Sequence, residues 1–176
     1  VLDYLHKHKP DAIIFRDMKP SNVMINSSGD VLLVDFGIAK SFQSGIKGTM
    51  IGTEGYSPPQ QYREEATPAA GIHAMGATIH HALTRRDPRL EPPFSFAERP
   101  VRRINPSVSP ELEVIINRAL EYDPVSRYKS ALEMKEALMS VARKTGLLVR
   151  MGTQTGPVVK ASGIKPLWTF KTEDEI

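Results

Sequence analysis

Within "FRDMKPSN", residues 15 to 22, and the "DFG" that begins thirteen positions after Asn22, lie two carboxylates, an amine and an amide: Asp17, Asp35, Lys19 and Asn22. A stretch that had only to turn would favour Gly, Asn or Asp over long charged side chains. Asp and Asn oxygens suit Mg²⁺, a hard ion that keeps several waters and takes one or two carboxylates plus substrate phosphates. Lys19 offers a point charge to a phosphate oxygen, and Asp17 is left to accept a proton from a hydroxyl. Phosphoryl transfer needs that set of groups.

The elements that must position them are short. "AIIF" (12 to 15), "VMIN" (23 to 26) and "VLLV" (31 to 34) read as strands, and "SSGD" (27 to 30) closes the last two into a hairpin, which spreads the four groups over two adjacent strand ends. Residues 1 to 9 carry Val1, Leu2 and Leu5 on one helical face and stop at Pro10, like the tail of a helix. Asp35 to Gln61 is Gly- and Thr-rich without a sustained period, and a loop of that length inside a domain is usually functional.

Beyond the loop the chain turns helical. Thr67-Pro68 is a cap followed by proline at the first helical position, and opens "AAGIHAMGATIHHAL". The next stretch, 85 to 108, is a proline-rich connection. Ser109-Pro110 opens a helix with Leu112, Ile115, Ile116, Ala119 and Leu120 on one stripe. Ser130 with Glu133 forms a capping box for a third helix, with Ala131, Met134, Leu138 and Val141 facing inward. The fold class expected is α+β, mainly α, with a domain over 1 to 143, a linker over 144 to 166, and at 167 to 176 ("LWTFKTEDEI") the first strand of a further module.

Composition narrows the function classes. The formal charge is +3, and the arginines at 85, 86, 89, 99, 102 and 103 do not alternate with aromatic residues that could stack on bases, so a nucleic-acid partner is not expected. The absence of cysteine excludes disulfides and thiolate zinc sites and allows a cytoplasmic setting. No apolar run approaches the roughly 18 residues that a membrane helix needs.

"FRDMKPSN" followed by "DFG" resembles the catalytic loop and metal-binding motif of eukaryotic-type protein kinases of the bacterial-like kind, and lysine in "KPSN" resembles their serine/threonine branch. The resemblance implies ATP and Mg²⁺ as cofactors and serine or threonine hydroxyls of proteins as substrates. By position, Asp17 would be the catalytic base, Lys19 the γ-phosphate contact, Asn22 and Asp35 the Mg²⁺ ligands, and Met24 the floor beneath the adenine, with Phe36 packed inward. "GTEGYSPPQQY" (52 to 62) resembles the end of an activation segment, in which Thr53 would orient Asp17 and Lys19. Arg16 would pair with a phosphate on that segment, at Thr49 or, behind it, at Ser44.

Three positions depart from the family pattern. Phe15 replaces a histidine, with an aromatic ring still able to pack on Phe36. Gln60 replaces a glutamate that pairs with an arginine, here Arg127, which would leave that cation short of its charge if the site is buried. Gly71 replaces an aspartate that holds the catalytic-loop backbone. The resemblance also covers only the larger, C-terminal lobe: the glycine-rich loop, the strand lysine and the helix glutamate of the N-lobe are not found ahead of Asp17, and "PVVK" (157 to 160) reads as linker. The expectation is therefore a serine/threonine kinase fragment lacking its N-lobe, with negligible turnover by itself and an exposed apolar face. The alternative is a non-catalytic, pseudokinase-like remnant that binds a protein partner.

Overall fold

Thr67 caps and Pro68 begins the longest helix, α2 (Pro68–Thr84), around which the rest is packed. The Thr67 hydroxyl accepts the Ala70 N–H at 3.3 Å, and the helix stops where Arg85 turns left-handed at φ 57°. These features come from a computed structural model, which describes residues 1–27, 29–35, 40–42, 52–60 and 67–146. Nearly every turn of α2 is buried, because it is covered on several sides by α1 (Leu2–His6), α4 (Pro110–Ala119), α5 (Ala131–Lys144) and the loop that carries Asp17.

The caps read from sequence are formed. Ser109 accepts the Leu112 N–H at 3.2 Å to start α4, and Ser130 accepts the Glu133 N–H at 3.1 Å to start α5. Glu133 reaches back one residue further than a standard capping box, to the N–H of Lys129 at 2.7 Å. Ile72, Ile115, Ala119, Tyr128 and Met134 form the core shared by α2, α4 and α5, and Ile72 is 1% exposed. Truncating such a residue to alanine costs about 2–5 kcal/mol. The proline-rich connection is more ordered than its composition indicated: it holds 3₁₀ turns at Pro88–Leu90 and Ser95–Glu98 and the short helix α3 (Val101–Ile104).

Strands β2 (Val23–Ile25) and β3 (Val31–Leu33) pair as the expected antiparallel hairpin, with Met24 opposite Leu32. β1 (Ala12–Ile14) does not join them. It pairs antiparallel with β4 (Lys40–Phe42), a strand inside the Gly- and Thr-rich stretch whose sequence predicts a loop. Three residues without periodic pattern become a strand because β1 supplies a ladder from 28 positions away, an effect that local propensity does not contain.

A second core joins α1 to the loop ahead of β2, with Leu2, Leu5, Phe15, Met18 and Ala74 packed together and Phe15 and Met18 at 0% exposure. Among the described residues no helix is long and apolar enough to cross a membrane. Phe36, Ser44, Thr49 and the proposed strand at 167 to 176 lie outside the described residues, as does all of the predicted linker beyond Gly146.

Candidate active site

The loop between β1 and β2 leaves the core at Met18 and returns through the 3₁₀ turn Pro20–Asn22, so Asp17, Lys19 and Asn22 share one short arc. Asn22, 5% exposed, ties that arc together: its Nδ2 donates to the Asp17 carbonyl at 2.8 Å and to Asp17 Oδ2 at 3.0 Å. Lys19 Nζ lies 2.6 Å from Asp17 Oδ2. Thr53, brought in from the distant loop, donates its hydroxyl to Asp17 Oδ1 and accepts from Lys19 Nζ at 2.9 Å.

Asp17 is 7% exposed, yet it remains a carboxylate. Burial works to raise its pKa, the hydrogen bonds from Lys19 and Thr53, the Lys19 charge and the Asn22 hydrogen bond work to lower it, and the lowering prevails. An ionised, triply anchored carboxylate of fixed orientation results.

Asp35 sits at the end of β3 with its side chain exposed. The Val34 N–H donates to the Asn22 carbonyl at 3.0 Å, which brings the residue before Asp35 against the catalytic arc. Asp35 itself is left-handed, at φ 61°, a conformation that costs a non-glycine residue energy and collects at functional positions. Among the described residues Asn22 Oδ1 receives only a long 3.4 Å contact from Ser21, so one amide oxygen and one exposed carboxylate stand available on neighbouring strand ends. No group of three or more His, Asp or Glu side chains suited to a metal occurs among the described residues. Two oxygen donors fit a hard cation that takes its other ligands from water and phosphate.

The remaining predicted residues are placed differently. Met24 is 55% exposed on β2 with its partner Leu32 at 47%, and on the opposite side of the hairpin Ile25 and Val31 are 70% and 54% exposed, so both faces of the hairpin present apolar side chains outward. Arg16 is 6% exposed, and burial lowers the pKa of its guanidinium.

The two scaffold departures resolve in distinct ways. Arg127 is 1% exposed and spends its guanidinium on the carbonyls of Glu121, Ala69 and Tyr122 and on Gln60 Oε1 at 3.2 Å. Burial, opposed by Asp123 and Glu121, lowers its pKa to about 10. Gln60 Nε2 is left buried without a partner among the described residues. At Gly71 a Cβ would stand 3.0 Å from His6 Nε2, so the α1 histidine occupies the room where a longer side chain would begin. Both ring nitrogens of His6 are buried without a hydrogen bond.

Sequence reasoning missed who holds the loop instead. Thr78 Oγ1, on α2, shares its one proton between the Ala74 carbonyl at 2.8 Å and the Met18 carbonyl at 3.2 Å, the latter next to the Asp17 carbonyl that Asn22 holds. It also missed His73 and His81, whose rings lie 3.2 Å from the Tyr56 carbonyl and 2.5 Å from the Tyr56 hydroxyl. The only available signal was three histidines, at 73, 80 and 81, on an otherwise apolar helix.

Comparison with known proteins decides the family, since the model of the protein kinase domain matches residues 1–139. The chain belongs to the protein kinase family. It is 34% identical over 154 residues to the serine/threonine-protein kinase PknB of Mycolicibacterium smegmatis, covering 80% of this chain and 24% of that protein. It is 35% identical over 148 residues to a probable serine/threonine-protein kinase of Streptomyces coelicolor (76% and 22%) and 32% identical over 148 residues to the serine/threonine-protein kinase PknA of Nostoc (78% and 26%). The chain thus spans about a quarter of the length of these relatives. A mainly helical kinase domain with small sheets is the fold.

Proposed function

We propose that the protein transfers the ATP γ-phosphoryl group to serine or threonine hydroxyls of proteins, and that the described residues form the larger lobe of that enzyme. The observation that carries the reading is the Asp17 carboxylate, held ionised by Asn22, Lys19 and Thr53 from two separate segments. Phosphoryl transfer passes through a loose transition state in which positioning and charge matter more than base strength. A carboxylate of low pKa but fixed direction suits it: Asp17 orients the substrate hydroxyl and takes its proton as the P–O bond forms. Lys19, 25% exposed at its side chain, is placed to swing from Asp17 to a γ-phosphate oxygen.

Asn22 and Asp35 would hold Mg²⁺, which when bound neutralises charge on the phosphates. Met24, on one exposed face of the hairpin, would lie against the adenine, and that face would be covered by the lobe carrying the remaining phosphate contacts. The long stretch from Asp35 would run into the activation segment, which ends in residues 52 to 62, with Thr49 its phosphorylated residue and Arg16 the cation that answers it. The isolated 176-residue chain is then expected to bind nucleotide weakly and to turn over negligibly.

A non-catalytic, partner-binding role is the second reading, favoured by Gly71 and by the neutral Gln60 opposite Arg127. Titration of the native full-length protein with Mg²⁺-ATP separates the two. Saturable binding abolished by Asp35→Ala supports the kinase, and no binding supports the second reading.

A further inference from the structure

The turn that carries Thr53 is pinned at three places. At its start, Thr53 meets Asp17 and Lys19. In its middle, Gly55 takes φ +83°, and a Cβ there would lie 2.6 Å from the carbonyl carbon and oxygen of Pro88, so the backbone is pressed against the 3₁₀ turn that follows α2. At its end, Tyr56 is 3% exposed, and its N–H and that of Ser57 both donate to the Thr53 carbonyl at 3.2 Å. Tyr56 and Thr53 are therefore one rigid unit, closed by two backbone hydrogen bonds.

We infer that His81 is a positioning residue for phosphoryl transfer, acting on Asp17 through the Tyr56 hydroxyl and the turn from Thr53 to Ser57. This inference rests on the kinase reading above and assigns a residue that the reading itself does not require. The geometry is a relay of contacts. The Tyr56 hydroxyl is 2.5 Å from His81 Nδ1, its carbonyl accepts from His73 Nδ1 at 3.2 Å, and its ring packs with Ala77 and Phe96. Both histidines belong to α2, the same helix whose Thr78 holds the Met18 carbonyl next to Asp17. One helix thus fixes the catalytic arc from below and, through Tyr56, the turn that reaches Asp17 from above.

The donor role of His73 follows from the chemistry. A carbonyl only accepts, so His73 carries its proton on Nδ1. The Tyr56 phenol is kept protonated, with its pKa raised by burial and Asp87 against Arg89 to about 12, and its hydroxyl shares one hydrogen bond with His81 Nδ1, whose direction follows the His81 tautomer. A hydrogen-bonding group at that one position is what the turn needs from residue 81. Asparagine can supply one, because its Oδ1 occupies nearly the place of Nδ1; leucine cannot.

The test uses the native full-length protein with Mg²⁺-ATP and casein as the serine-bearing acceptor, in wild type, His81→Leu, His81→Asn and Tyr56→Phe. The expected result is a fall in kcat of about tenfold for His81→Leu and Tyr56→Phe, with KM for ATP unchanged, near-complete recovery in His81→Asn, and no additional loss when His81→Leu and Tyr56→Phe are combined. Amide hydrogen exchange at Tyr56 and Ser57 should quicken in His81→Leu and return to the wild-type rate in His81→Asn. Tyr56→Phe keeps the buried ring, which guards against a variant that fails to fold. An active wild type with unchanged kcat in His81→Leu, or with as large a loss in His81→Asn, overturns the inference alone; a wild type with no kinase activity overturns the kinase reading and this inference together.

Discussion

Thr53 donates its hydroxyl to Asp17 from 36 positions further along the chain, and the same oxygen accepts from Lys19. Removing that hydroxyl leaves Asp17 one anchor short and leaves Lys19 with Asp17 as its one described partner. Thr53→Ala in the native protein should lower kcat by on the order of 10- to 100-fold with little change in KM for ATP, and Thr53→Ser should restore most of it. Equal losses in the alanine and serine variants would assign the effect to the methyl group and not to the hydrogen bond.

The buried pair of Arg127 and Gln60 gives a stability prediction. Among the described residues, Gln60 Nε2 is buried without a partner and Arg127 has no carboxylate among its hydrogen-bond acceptors. Replacing the amide by a carboxylate removes the orphan donor and supplies a charge-assisted bond, a gain of about 1–3 kcal/mol. Thermal unfolding of Gln60→Glu should shift upward by a few degrees. A lower midpoint would mean that desolvating the new carboxylate outweighs its pairing.

Gly71 and His6 should behave as a coupled pair. A Cβ at 71 comes within 3.0 Å of the His6 ring, so Gly71→Ala should destabilise by about 1–3 kcal/mol despite alanine's better helix propensity. His6→Ala removes the obstacle, and the double variant should lose less than the two single losses added. Simple additivity, measured by urea unfolding of the four proteins, would contradict the packing described.

Stability should fall toward acid pH, in a window set by histidine. Burial, then the Arg127 charge, lower the His73 pKa to about 3, against the hydrogen bond to Tyr56 that raises it. The unfolded chain takes up a proton below its ordinary value near 6.5, while the folded ring stays neutral until about pH 3. The contribution is therefore complete above about pH 6.5 and is lost progressively as pH falls to about 3, on the order of 5 kcal/mol in all. His6, whose pKa burial also lowers against Asp3, adds to the same trend. His73→Asn, which keeps a donor without a titrating ring, should flatten the acid limb of a plot of unfolding free energy against pH; an unchanged limb would assign it to other groups.

How far the sequence could be read depended on whether a contact was local. Asp17, Lys19 and Asn22 lie within six positions, and their convergence follows from one loop, as do the hairpin after them and the caps at Thr67, Ser109 and Ser130. β4 was not legible, because its residues become a strand only against β1. Nor was the partnership of Tyr56 with His73 and His81, since nothing in the spacing of 17 or 25 positions announces a hydrogen bond. Gly71 and Gln60 stood out as departures in sequence, but that His6 fills the first site and backbone carbonyls satisfy the Arg127 opposite the second are facts of packing.

The most direct measurement is transfer of radiolabelled phosphate from [γ-³²P]ATP to serine or threonine by the native full-length protein in the presence of Mg²⁺, compared with its Asp17→Asn variant. The expected result is labelled phosphoserine or phosphothreonine in the wild type and a loss on the order of 10²- to 10⁴-fold in the variant, whose amide preserves the shape of the site but cannot accept the proton. Absence of label in the wild type, or label undiminished by Asp17→Asn, would contradict the assignment of this site to phosphoryl transfer.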